Sequence, residues 1–109
     1  MKSYHCPTCV VEIFVAGQRA DVDRVCSDYV FKAGLCVSVE SVSFLYTGGR
    51  EEGAVVRLVN YPRFPSTPEA LMARARDLAD LLVVGCHQHS VLIVSPDGSE
   101  WLTRREEGK

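Results

Sequence analysis

Two short clusters hold the residue types from which chemistry is made: Cys6-Pro7-Thr8-Cys9 near the start of the chain and Cys86-His87-Gln88-His89 toward its end. Cys-x-x-Cys is the spacing of a zinc knuckle, and Zn²⁺ completes a tetrahedron with four thiolate or imidazole ligands. Cys86-x-x-His89 repeats that spacing, so Cys6, Cys9, Cys86 and His89 compose a Cys3His set on spacing alone. A redox pair would place its first sulfur at a helix N-terminus, where the dipole lowers the thiol pKa. Here the apolar run VVEIFV follows Cys9 directly and reads as a strand, which removes that role. A thiol nucleophile needs a base that a third group orients, and Cys86 beside His87 and His89 has no such group in its neighbourhood. Cys26 and Cys36 stand among apolar residues and read as small core side chains. The glycines of TGGREEG precede two carboxylates where a phosphate would sit. These residues predict a non-enzymatic protein without a cofactor, zinc being the one metal alternative.

The elements that must position these residues follow from periodicity. VVEIFVAG is a buried strand closed by Gly17, and the next stretch places Val22, Val25, Cys26, Tyr29 and Val30 on one helical stripe, with Asp21 as N-cap and Gly34 as stop. In LCVSVESVSFLYTGG, Val37 and Val39 alternate on one face and Val42, Phe44 and Tyr46 resume one residue out of phase, which predicts a bulge at Glu40-Ser41. Gly48-Gly49 and the charged REEG then turn the chain into the strand AVVRLVNY, ended by Pro62 and Pro65. A second helix opens at Ser66, with Pro68 in its first turn and Glu69 completing a capping box, and buries Leu71, Ala75, Leu78, Ala79 and Leu82. After Gly85 come the strand SVLIV, the turn SPDGS, a short extra strand EWLTRR and a charged tail EEGK expected to fray.

Strand, helix, strand, strand, helix, strand is the split βαβ pattern, so the expected fold is an α+β ferredoxin-like sandwich. Its antiparallel sheet would run 4-1-3-2 with both helices on one face and the short C-terminal strand added. That topology bears on zinc: antiparallel first and fourth strands start at opposite ends of the sheet, which places the two clusters ~20 Å apart. It also leaves one face uncovered. Glu12 and Arg57 mark this open face and face each other on neighbouring strands, with Val10, Phe14, Val55, Val59 and Tyr61 beside them. The YPRFP segment adds Arg63 and Phe64 at the rim, and aromatics with arginine are the residues that anchor interfaces. IFVAGQ resembles the first-strand signature of RNA-recognition motifs, with Phe14 in the base-stacking place, which implies an RNA-binding sheet face. The third strand, EGAVVRLV, departs from that family's basic and aromatic pattern: Glu52 stands at the basic position, and Ala54, Val56 and Val59 stand at aromatic ones.

Composition bounds the rest. A chain of 109 residues is the size of one domain, expected to span 1–109, and 47% hydrophobic residues supply a core. A net charge of -2 offers no general attraction to phosphate backbones, which leaves RNA binding to a local patch of Arg57, Arg63, Arg74, Arg76, Arg104 and Arg105. No apolar signal core or membrane-length run is present, and an odd set of five cysteines suits a reducing compartment, so a cytoplasmic location is expected. The reading as a whole is a small accessory, regulatory or inhibitory protein, of the kind phages and mobile elements encode. It would bind a protein partner, or a second copy as a homodimer, through Glu12, Phe14, Arg57, Val59, Tyr61, Arg63 and Phe64. A zinc module and an RNA binder are the alternatives.

Overall fold

The run VVEIFVA forms strand β1 (Val10–Ala16), and its alternation decides how it faces: Val11, Ile13 and Val15 are buried beneath two helices while Glu12 and Phe14 point the other way. This is a computed structural model, and it describes residues 1–105; the charged tail expected to fray, residues 106–109, lies outside them. Helix α1 (Arg19–Ala33) turns Val22, Val25 and Cys26 inward and ends at Gly34, whose φ of 70° lets its N–H reach the Val30 carbonyl. The helix begins before the expected Asp21 cap. Gln18 is the N-cap, and Asp21 sits in the first turn paired with Arg24. A carboxylate meets the helix dipole at either position, so its presence marked the end without fixing the residue.

Strands β2 (Val37–Tyr46) and β3 (Gly49–Val59) form a hairpin around Thr47-Gly48, so the REEG segment is strand rather than turn. The expected bulge is absent: pairing runs one to one from Val37↔Leu58 to Tyr46↔Gly49. The apolar set changes phase because it changes face. Val37 and Val39 pack toward the helices, but β3 pairs with β1 only as far as Gly53, and beyond it the two strands continue alone as a ribbon. There Val42, Phe44 and Tyr46 turn their side chains to the opposite face.

Helix α2 (Pro68–Gly85) is capped by Thr67, whose hydroxyl accepts the Ala70 N–H at 3.1 Å, not by Ser66. Pro68 suits the first helical position, which puts the N-cap one residue before it. Ser66 instead donates its backbone N–H to Asn60 Oδ1 at 2.8 Å. Asn60 is the buried polar side chain of the core, 7% exposed, and its Nδ2 donates to the Pro7 carbonyl at 2.9 Å while its backbone N–H donates to Cys9 at 2.9 Å. One side chain thus pins the N-terminal segment to the loop before α2.

Strands β4 (Ser90–Ser95) and β5 (Gly98–Thr103) complete a five-stranded antiparallel sheet ordered β2-β3-β1-β4-β5. The small α+β architecture is the one expected. The order differs in detail, because the last strand pairs along the whole of β4 and becomes a sheet edge in its own right. Leu71, Ala75, Leu78, Ala79 and Leu82 of α2 seal the helical face. No helix among the described residues is long and apolar enough to cross a membrane.

Candidate functional site

The sheet face away from the helices is built in rows, because residues paired across antiparallel strands share a face. One row crosses all five strands as Glu40, Val55, Phe14, Leu92 and Trp101. Its neighbour runs Ser38, Arg57, Glu12, Val94 and Ser99. The ion pair expected there is formed: Arg57 Nε donates to Glu12 Oε2 at 2.8 Å, and Nη1 donates to Glu40 Oε1 at 2.9 Å. These bonds to Glu40 and Glu12 raise the Arg57 pKa further and tether the guanidinium between the two carboxylates.

On the other side of the five-residue row the ribbon supplies one wall of a hollow and β5 the other. Phe14, Phe44, Tyr46 and Trp101 line it together with Glu51, around a volume of about 600 Å³. Tyr46 donates its hydroxyl to Glu51 Oε1 at 3.1 Å, and that bond is the main reason its phenol pKa lies above the ordinary value. Two glycines make room for the rings. A Cβ at Gly49 would strike the Tyr46 ring, and one at Gly53 would strike the Phe44 ring and the Val15 carbonyl. Trp101 is 61% exposed and Tyr46 53% exposed, so flat aromatic surface is on offer to a ligand. Sequence reasoning missed this cluster, although Gly49, opposite Tyr46, and Gly53, diagonal to Phe44, were the signal for it.

Of the residues proposed for contact with a partner, Glu12, Phe14, Arg57 and Val59 lie on this face, and Tyr61 follows β3 in an isolated bridge with Phe64. Phe64 packs on Tyr61 with ring centroids 5.6 Å apart, and Arg63 is in the turn between them. The zinc set is not assembled. Cys6 rests with its sulfur 3.5 Å from the Asn60 carbonyl at one end of β1, whereas Cys86 lies against Gly17 at the other, with His89 just before β4. Antiparallel pairing of β1 with β4 is the physical reason, and no three His, Cys, Asp or Glu side chains gather for a metal among the described residues. Cys36, read as core, is exposed with its sulfur 3.6 Å from the Tyr61 hydroxyl, since it precedes an edge strand. Burial pushes the Cys26 thiol up to about 12 and raises Cys86 as well, so neither serves as a thiolate near neutral pH. The arginines do not form one patch: Arg57 is held on the open face, while Arg76 makes a two-bond pair with Glu100 on the helical side.

The architecture defines a class before it defines an activity: a small α+β fold with two helices on a five-stranded antiparallel sheet. No protein-family model matches the sequence, and no curated protein matches it. Two solved structures do share its fold. One is a phage SAM lyase in the apo state, with a TM-score of 0.70 and 17% identity over 90% of both chains. The other is a phage SAM lyase in complex with S-methyl-5'-thioadenosine, with a TM-score of 0.68 and 14% identity over 97% of this chain and 98% of that one. At this identity the likeness is one of fold. Both neighbours are nevertheless enzymes, and this overturns the expectation of a non-enzymatic domain. That expectation was drawn from the lack of a nucleophile, base or cofactor motif.

Proposed function

We propose that this chain is an enzyme that cleaves S-adenosylmethionine, and that the hollow between the ribbon and β5 is its site. The observation that carries this reading is the set of four aromatic side chains around the hollow, on a fold shared along nine-tenths of the chain with a phage SAM lyase. A purine stacks on such rings by its faces, whatever its edge pattern. Release of S-methyl-5'-thioadenosine breaks the bond between sulfur and the γ-carbon of the amino-acid arm, and the electron pair of that bond stays on sulfur as a neutral thioether. No water is consumed, so the γ-carbon is satisfied from within the ligand. Its own carboxylate oxygen closes a lactone, or a β-proton leaves and an alkene forms.

Lactone closure asks least of the protein. The carboxylate oxygen bonds to the γ-carbon as the C–S electron pair passes to the cationic sulfur, so opposite charges disappear toward the transition state, and a surface of aromatic rings favours that over water. Holding the arm folded with carboxylate near the γ-carbon is then the main contribution of the site. Protein incubated with S-adenosylmethionine is expected to release S-methyl-5'-thioadenosine and homoserine lactone. Trp101→Ala should lower kcat/KM about 30-fold, the size of one lost stacking contact of about 2 kcal/mol. Release no faster than in buffer overturns the reading. A small protein of the kind phages and mobile elements encode, the type anticipated from small size and the absence of catalytic and cofactor motifs, is compatible with it, as the structural neighbours are phage proteins.

A second reading concerns the far end of the same face. Val59, Tyr61 and Phe64 are exposed apolar side chains that border Arg57 and Arg63, which favours a second copy of the chain as their cover. Native mass spectrometry is expected to show a dimer that Tyr61→Asp with Phe64→Asp converts to monomer. A monomer in the unmodified protein at tens of micromolar would remove this reading.

A further inference from the structure

We propose that the outer edge of β2, over residues 42–46, pairs antiparallel with the same segment of a second copy about a two-fold axis at Phe44. The contact is separate from the one at Tyr61 and Phe64 and does not rest on the lyase reading. β2 is an edge strand of the sheet among the described residues. Its hairpin with β3 turns in two residues between Tyr46 and Gly49, and the pair flanking such a turn exchanges both main-chain hydrogen bonds. Alternation then directs the main-chain groups of Val42, Phe44 and Tyr46 to β3 and turns those of Val39, Ser41, Ser43 and Leu45 outward. The Val39 carbonyl has this phase, since Arg19 Nη2 reaches it from outside the hairpin at 3.3 Å.

The two halves of this edge differ. Arg19, held by Asp23 Oδ1 at 2.7 Å, also donates to Ser41 Oγ at 2.9 Å and closes the edge as far as the ribbon. Beyond it the segment SVSFLY carries no charge, proline or glycine, and Leu45 is 73% exposed. Uncharged edges of this composition template the pairing of another strand. The same segment is the occupant its side chains fit. A two-fold at Phe44 sets that ring opposite its own copy, Val42 opposite the copy's Tyr46, and Leu45 opposite the copy's Ser43, so aromatic and aliphatic groups meet on one face. The Glu51 carboxylates, each paired with its own Phe44, stay at the far ends of that row. Thr47 of the copy falls opposite Ser41, where its chain turns back, so Arg19 keeps its place. An axis at Val42 would lay the copy's Leu45 against Val39 and expel Arg19. Pairing at Phe44 joins two unsupported ribbons into four strands, the condition under which a hairpin gains stability.

So short a contact is small against the roughly 20–30 residues a side of a standard interface, and a dissociation constant of about 0.3 mM is expected. The test is made in the full chain carrying Tyr61→Asp and Phe64→Asp, which removes the other contact. Sedimentation equilibrium should give a monomer at tens of micromolar and a dimer at about 1 mM. Between these concentrations amide exchange at Ser43 and Leu45 is expected to slow about threefold, the factor set by the paired fraction, and to stay unchanged on β5 at the opposite edge. Phe44→Lys should abolish pairing, because two like charges then meet at the axis, while Glu51 opposite it within the hairpin keeps the ribbon formed. An equimolar mixture with Phe44→Glu should restore pairing as a heterodimer. A monomer at about 1 mM overturns the proposal, as does association that Phe44→Lys leaves intact or that leaves Ser43 and Leu45 exchanging as fast as in dilute protein.

Discussion

Gly53→Ala should destabilise the protein by about 3 kcal/mol and empty the hollow of its ring at the same time. Gly53 stands at the last pair between β3 and β1, opposite Ala16. A Cβ there meets the Phe44 ring, the Val15 carbonyl oxygen and, at 2.9 Å, the Ala16 Cα. Two of these three are backbone atoms of the central strand and have nowhere to go, so relief comes from displacing β1 or from swinging Phe44 away. The cost is steric rather than conformational, because the backbone angles of this glycine suit other residues. Urea unfolding gives the stability and S-methyl-5'-thioadenosine binding gives the second effect, expected at tenfold or more. A variant that loses less than about 0.5 kcal/mol and binds normally would show that the ring does not rest on this glycine.

Asn60→Ala is expected to cost about 3 kcal/mol, for a different reason. The substitution removes both the donor to the Pro7 carbonyl and the acceptor for the Ser66 N–H. Each lost bond weakens the fold modestly, but partners left without water raise the total. The damage should concentrate where Asn60 joins segments: residues 6–9 detach, and Cys9, buried at 5% exposure, becomes reactive to thiol reagents in the native state. Rapid labelling of Cys36 alone, with unchanged unfolding, would count against this role, since Cys36 is exposed in any case.

How much of this was legible in the sequence depended on whether an element had one environment along its length. β1 did, and its alternation assigned every side chain to the correct face. α2 did also, and its buried residues were read correctly although the cap moved by one. β2 did not. Its first half packs under helices and its second half leaves them behind, so a single strand reads as two phases, and a bulge was the wrong explanation for a change of surroundings. The hollow stayed invisible for the same reason: Phe44 and Tyr46 come from the misread half, and Trp101 comes from a strand taken for an appendage. The cysteine clusters drew attention by spacing, which carries no information about which end of a sheet each cluster occupies. The expectation of a non-enzymatic protein followed from the missing nucleophile and base motifs, and the enzymes that share this fold were out of reach of motif reading at 14–17% identity.

The unsupported ribbon has a thermodynamic consequence for anything that binds beside it. Beyond Gly53, β2 and β3 have only each other, and an isolated two-stranded hairpin is marginal in water. Fraying from the Thr47-Gly48 tip therefore requires far less free energy than unfolding the sheet, and each such opening carries Phe44, Tyr46 and Glu51 away from Trp101. Part of any ligand's intrinsic affinity is spent on suppressing these excursions, so observed affinity should weaken on warming well before the sheet itself melts.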